Sequence, residues 1–224
     1  MRSEPTLLAF DTSAAHCAAA LLSGGAIRAE RLEPMKRGQA EALMPLLEEM
    51  LAARSVGWRD LDAIAVGTGP GNFTGIRIAV SAARGLALAL GIPAIGVSMF
   101  EVMAFGQPST PCLISLSAPR GQVYLQRFEG GRATGKPALT DPLAPPPEPG
   151  LPAGMTILGA AAEALGRHFD RPARPAGMSD IPTRIARIAA LRLNSGERAE
   201  RPAPLYVRPA DAAPPSDPPP VLLP

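Results

Sequence analysis

Histidine and cysteine are scarce in this chain, with two of each among 224 residues. Cys17 and Cys112 each lie in an apolar run without a companion at metal-ligand spacing, so buried, reduced thiols are expected rather than a disulfide. His16 sits among small apolar residues and His168 beside Phe169, and neither has a serine or cysteine partner nearby in sequence, so no nucleophile–base pair is offered. The patterns HxxxH, HExxH and CxxC are all missing, and neither a metal nor another cofactor is expected. Charge of one sign is also lacking: 22 basic against 20 acidic residues leave a net +2, too little for the footprint of strong direct nucleic-acid binding. The pI of 8.8 overstates the bias. No uninterrupted apolar run reaches the roughly 18 residues of a membrane span. The opening MRSEPTLLAFDTS, with one arginine and a short apolar run, is not expected to act as a signal peptide, and the cytoplasm is the expected compartment.

Proline, by contrast, is plentiful, at 27 residues, and is concentrated in the second half. Residues 137–152 read as proline-rich loop, and the ending PADAAPPSDPPPVLLP cannot build a regular element. The length fits one large domain or two of about 100 residues.

The most informative stretch is LDAIAVGTGPGNFTGIRIAVSAARGLALALG, residues 61–91. Leu61–Val66 is apolar and β-branched, as a strand covered on both faces should be. Gly67, Gly69, Pro70 and Gly71 make a turn, and Asn72 is placed to cap a helix from Phe73 to Leu90 that stops at Gly91 before Pro93. At 100° per residue, Ile78, Ala82, Gly85, Leu86 and Ala89 share one wholly apolar face, expected to meet the core. Ile76, Arg77, Val80, Arg84 and Ala87 share the opposite face, which is half apolar, so a second partner is expected there. A strand, a glycine turn and a helix N-terminus can cradle a phosphate. The spacing Gly67-x-Gly69-x-Gly71 is neither the dinucleotide fingerprint nor the Walker loop, however, and a tight turn with close backbone approach is the simpler reading.

Before this stretch the pattern predicts strands over Thr6–Phe10, His16–Leu22 and Ala26–Glu33 joined by hairpins, then a helix over Gln39–Arg54 with Pro45 inside it. The apolar positions of that helix, Leu43, Met44, Leu46, Leu47, Met50 and Leu51, cover an arc wide enough for two partners. A strand over Ala94–Val97 and a helix over Met99–Phe105 follow. Three hairpin-connected strands, then helix, strand, helix, strand, is the order of an RNase H-like half-domain. The second half reads as a worn copy, with strands over Cys112–Leu116, Gln122–Phe128 and Thr156–Leu158 and helices over Ala160–Phe169 and Thr183–Leu193. Asp11, at the end of the first strand, is where this architecture can hold a metal or phosphate-bound water, although with Thr12 and Ser13 it can equally satisfy turn N–H groups. A phosphotransferase of the paired-domain kind would want a second carboxylate in the matching turn, which reads Leu116-Ser117-Ala118-Pro119.

At these residues the chain resembles the TsaB (YeaZ) family, whose members support formation of threonylcarbamoyladenosine on tRNA. The resemblance runs from LLAFDTS through RGQAEALMPLLEEML, GTGPGNFTGIRIAVSAARGLALALGIPAIGVS and APRGQVYLQRF to APLYVRPADA. The block Gly69–Arg77, close to the family pattern GPGSFTG, is the most specific. The resemblance implies an α/β actin-like (ASKHA, RNase H-like) two-lobed fold with a reduced second lobe: residues 1–108 as the N-terminal lobe, 109–210 as the C-terminal lobe and 211–224 as a tail. It implies no catalytic residues of its own and a role as partner of the TsaD transferase subunit, with a TsaE ATPase joining that pair. In the family the two N-terminal-lobe helices form the shared interface, here Gln39–Arg54 and Phe73–Leu90. Gln39, Leu43, Leu47, Met50, Ile76, Arg77, Val80 and Arg84 are the interface residues expected, with homodimerisation through the same surface when the partner is absent. Asn72 replaces the usual Ser, Gln39 a frequent His, and Ser117 and Pro119 the Asp and Arg of a D-A-R turn. The alternative is an actin-like ATPase or phosphotransferase using Asp11, Gly69, Gly71 and Asn72. An older peptidase reading finds no nucleophile or metal site in the sequence.

Overall fold

The computed structural model describes residues 4–107, 110–145, 151–152, 154–196 and 200–207. Strands β1 (Leu7–Asp11), β2 (His16–Ser23) and β3 (Ala26–Pro34) form an antiparallel meander, followed by α1 (Gln39–Ala52), β4 (Ala63–Gly67), α2 (Phe73–Leu90), β5 (Ala94–Val97) and α3 (Met99–Ala104). Strand β4 lies parallel to β1, and β5 parallel to β4, giving the order β3-β2-β1-β4-β5. The second half repeats the plan. Its elements are β6 (Cys112–Ser117), β7 (Val123–Glu129), β8 (Arg132–Thr140), β9 (Thr156–Gly159), α4 (Ala162–Phe169), β10 (Ala173–Arg174) and α5 (Ile181–Ser195). The sheet order is β10-β9-β6-β7-β8, the same topology with β6 in the place of β1.

Strands β1 and β4 are buried at every position, which is why both read as continuous apolar runs rather than alternating ones. Strand β8 departs from expectation. The sequence assigns residues 137–152 to loop, yet the ladder between β7 and β8 continues to Thr140 opposite Val123. The strand escapes sequence reading because it is an edge whose residues are mostly exposed or half-buried and whose Gly135 and Pro137 are poor strand formers. The proline-rich tail at 211–224 and the expected lobe boundary at 108–109 lie outside the described residues.

Packing forms layers. Helices α1 and α2 cover one face of the first sheet, around Leu8, Phe10, Leu21, Ile64 and Val66. Helix α4 covers the outer face of the second sheet, around Leu113, Leu125 and Ile157. Between the sheets lie α3 and α5, in one apolar cluster that takes Leu7, Ala9 and Ala65 from the first sheet and Ile114, Leu116 and Leu158 from the second. Helix α5 belongs to the second half in sequence but packs on β1, β2, β4 and β5 of the first sheet, while α3 packs on β6. Each half thus completes the core of the other, and the outer faces of α1 and α2 sit on a rigid base.

Candidate functional site

The glycine turn is held by the loop that follows β1. The Asn72 side chain caps α2 by accepting from the Gly75 N–H at 2.9 Å, as the sequence predicts. The Asn72 N–H donates to the Ser13 carbonyl at 2.6 Å, and the Thr12 hydroxyl donates to the Gly75 carbonyl at 2.7 Å. A side chain has no room here: a Cβ at Gly71 would come closer than 3.0 Å to the Ser13 carbonyl oxygen, and one at Gly75 closer than 3.0 Å to that of Thr12. The glycines therefore let the β1–β2 loop seat directly on the first turn of α2. Gly67 lets the Asp11 carboxylate approach the end of β4 in the same way. This close backbone approach is the geometry of a tight turn, the simpler reading of Gly69, Gly71 and Asn72 beside Asp11. Replacing Asn72 with Ala should lower stability by about 1 kcal/mol in urea unfolding, the usual worth of an N-cap.

Asp11 is fully buried, and its Oδ2 accepts from the Ser13 N–H at 3.0 Å, the Ser13 hydroxyl at 2.9 Å and His16 Nε2 at 2.7 Å. Its Oδ1 has no hydrogen-bond partner among the described residues. The residue types are those of a catalytic triad, but the arrangement is not. Serine and imidazole both bond to the same carboxylate oxygen, so His16 is not set against the Ser13 hydroxyl, as a general base must be. The Asp11 partner of His16 is not legible in the sequence because it lies across the β1–β2 loop. Among the described residues no cluster of three or more His, Cys, Asp or Glu side chains could hold a metal ion.

Both cysteines are buried free thiols. Burial pushes the Cys17 thiol up from 9.0 to about 11, helped by the negative charges of Glu33 and Asp11. Between pH 9 and 11 the unfolded chain ionises this thiol while the folded chain keeps it protonated, so stability falls as pH rises, at up to about 1.4 kcal/mol per pH unit. Cys17→Ser should flatten that alkaline decline in urea titrations at pH 8 to 10.5.

The two helices differ from expectation in phase. Helix α2 buries Gly75, Ile76, Ala79, Val80, Ala83 and Ala87, while Ile78, Ala82 and Leu86 are half-buried and Gly85 and Ala89 exposed. Ile76, Val80 and Ala87 of the face expected to meet a partner therefore meet the sheet while Arg77 stays exposed, and of the face expected to meet the core Gly85 and Ala89 are exposed while Ile78, Ala82 and Leu86 pack at the edge of the first-sheet core. The polar positions Thr74, Arg77, Ser81 and Arg84 lie on the opposite side of the helix from the column of Gly75, Ala79, Ala83 and Ala87, whose small size allows the close approach to the sheet. Of the expected interface residues, Leu43, Leu47, Met50, Ile76 and Val80 are each 2% exposed or less in the single chain and belong to its core. A charge at Val80 would therefore be buried without a partner in the monomer itself. Gln39 and Arg84 are half-buried and Arg77 exposed, with Gln39 Nε2 donating to the Met35 carbonyl at 3.2 Å.

What these helices present outward is different. Helix α2 shows Phe73, 46% exposed, and Leu88, 85% exposed, with Arg77 and Arg84 as its only charges. Neighbouring α1 shows Glu41, Glu48 and Glu49 and carries no basic residue. Helix α2 spans 18 residues at a hydropathy of 1.4, long and apolar enough by composition to cross a membrane, with one third of it buried in the fold. Residues 200–207 strap its N-terminal end. The Leu205 N–H donates to the Thr68 carbonyl at 2.8 Å, and Pro202 is buried against Gly96. The Tyr206 hydroxyl accepts from Arg77 Nε at 2.7 Å. The Arg77 guanidinium lies 3.7 Å above the Phe73 ring, and the Phe73 and Tyr206 rings are 5.2 Å apart. The spacing of Phe73 and Arg77, one helical turn, is legible in the sequence; Tyr206, 129 positions away from Arg77, is not.

Two sheets of one topology, back to back across a shared helical layer, define an actin-like two-lobed protein. Residues 33–179 match the family described as TsaD: tRNA N6-adenosine threonylcarbamoyltransferase. The chain is 36% identical over 132 residues to the tRNA threonylcarbamoyladenosine biosynthesis protein TsaB of Escherichia coli K12, a match spanning 56% of this chain and 57% of that protein. It is 33% identical over 214 residues to an uncharacterized protein of Mycobacterium tuberculosis H37Rv, covering 93% of this chain and 94% of the other. The solved structure of YeaZ from Pseudomonas aeruginosa superposes with a TM-score of 0.67 at 31% identity, covering 90% of this chain and 99% of that one. The chain belongs to the TsaB (YeaZ) family.

Proposed function

We propose that this chain takes part in threonylcarbamoyladenosine biosynthesis on tRNA as a non-catalytic partner of the TsaD-type transferase subunit, presenting the outer faces of α1 and α2 to it. The observation that carries the reading is the outward face of α2, where Leu88 stands 85% and Phe73 46% exposed. Apolar surface of this kind, rimmed by charge, marks a protein interaction site. The TsaB names of the relatives support the pathway. Ser13 and His16 both bond to Asp11 Oδ2 rather than to each other, which supports a non-catalytic role over the peptidase reading. Acidic α1 beside basic α2 is self-complementary under a two-fold axis, so the free chain is expected to pair with itself through the same surface. A TsaE-type ATPase is expected to join the heteromeric pair, in the cytoplasm. Size-exclusion light scattering of the purified chain mixed with the transferase subunit of its own organism tests the reading. It predicts one complex containing both; two separate peaks at tens of micromolar would count against it.

A further inference from the structure

We infer that the strap at 200–207 is part of the partner-binding surface, with Tyr206 and Phe73 holding Arg77 as a preformed receptor for a carboxylate on the partner protein. This rests on the functional reading above and adds to it the chemistry of the partner. Arg77 is fixed from two sides, by the Tyr206 hydroxyl on Nε at 2.7 Å and by the Phe73 ring 3.7 Å below the guanidinium plane. Its two terminal nitrogens have no hydrogen-bond or ion-pair partner among the described residues. A stacked guanidinium with Nε satisfied loses little freedom when its remaining fork closes on a carboxylate. Phe73 and Tyr206 are each 46% exposed, so phenylalanine, tyrosine and arginine stand together on one outward patch, the composition of an interface anchor.

A nucleic-acid backbone fits the patch less well. Phosphate binding draws on several cations, whereas α2 offers only Arg84 besides Arg77 and α1 next to it exposes Glu41, Glu48 and Glu49. Tyr206 acts here as a positioning residue. Its anchor is the strap itself, tied to the end of β4 through Leu205 and Thr68, so the receptor is aligned with the rigid core rather than with a free side chain.

The test is calorimetric titration of the full chain with the transferase subunit of the same organism, at low and high salt. Arg77→Ala should weaken binding by about thirtyfold or more, as loss of one partner of a buried charge pair does. Arg77→Lys should lose about tenfold, because an ammonium neither stacks nor forks. Tyr206→Phe should lose severalfold while leaving the thermal midpoint of the free chain unchanged. Wild-type affinity should fall as salt rises, and that of Arg77→Ala should fall less steeply. Variants that bind as tightly as wild type, with the same salt dependence, overturn this inference and leave the proposed function standing. Absence of binding by the wild type overturns both. Normal protein binding by Arg77→Ala combined with lost tRNA binding also overturns it, by assigning the patch to RNA.

Discussion

Gly75→Ala is expected to lower stability by about 3 kcal/mol, although alanine is the better helix former by about 1 kcal/mol. The added Cβ would lie closer than 3.0 Å to the Thr12 carbonyl oxygen, and neither side can give easily because both are backbone. To make room, the β1–β2 loop must lift from α2, which strains or breaks the Thr12–Gly75 and Asn72–Ser13 bonds. Each bond is worth about 1 kcal/mol, and the overpacking adds about 1–3 kcal/mol, so the steric cost outweighs the propensity gain. For a chain of this size the thermal midpoint should drop by about 10 °C. The control lies in the same helix. Gly85 is exposed, and a Cβ there would meet nothing within 4 Å, so Gly85→Ala should stabilise by about 0.5–1 kcal/mol. Equal effects at the two positions in urea unfolding would contradict the stated role of the glycine turn.

Leu88→Glu should leave the free chain folded and remove its association with the transferase subunit. The side chain is 85% exposed, so in the monomer the new carboxylate stays in water and stability should change by no more than about 0.5 kcal/mol. In the proposed complex it would be buried without a partner, which costs several kcal/mol and corresponds to an affinity loss of at least about a hundredfold. Val80→Glu, at a position 2% exposed, should instead unfold the chain. The pair separates an interface residue from a core residue on one helix.

The fold was largely legible in the sequence because its central strands are continuous apolar runs and its first helices carry plain start and stop residues. Asn72 and Gly91 mark both ends of α2, and the structure uses both. The edge strand β8 was not legible, since an exposed strand carries no burial pattern, and neither was the crossing of α5 onto the first sheet, which is a tertiary choice. The facing of α2 differs from expectation for a related reason. The apolar residues of α2 cover a wide arc, and the packing of Gly75, Ala79, Ala83 and Ala87 on the sheet, opposite Thr74, Arg77, Ser81 and Arg84, fixes its phase. As a result the expected interface centre, Leu43, Leu47, Ile76 and Val80, lies in the core, while Phe73, Leu88 and Tyr206 take the exposed positions. Arg77 stands outside because an arginine on a largely apolar helix has only solvent or a partner to face.

The most direct test is reconstituted threonylcarbamoyladenosine formation on tRNA by the transferase subunit, assayed with no added chain, with wild type and with Leu88→Glu. The account predicts modification only with wild-type chain, none with Leu88→Glu at matched thermal stability, and no transfer or ATP hydrolysis by the chain alone. Full modification with the Leu88→Glu chain, or turnover by the isolated wild-type chain, would contradict it.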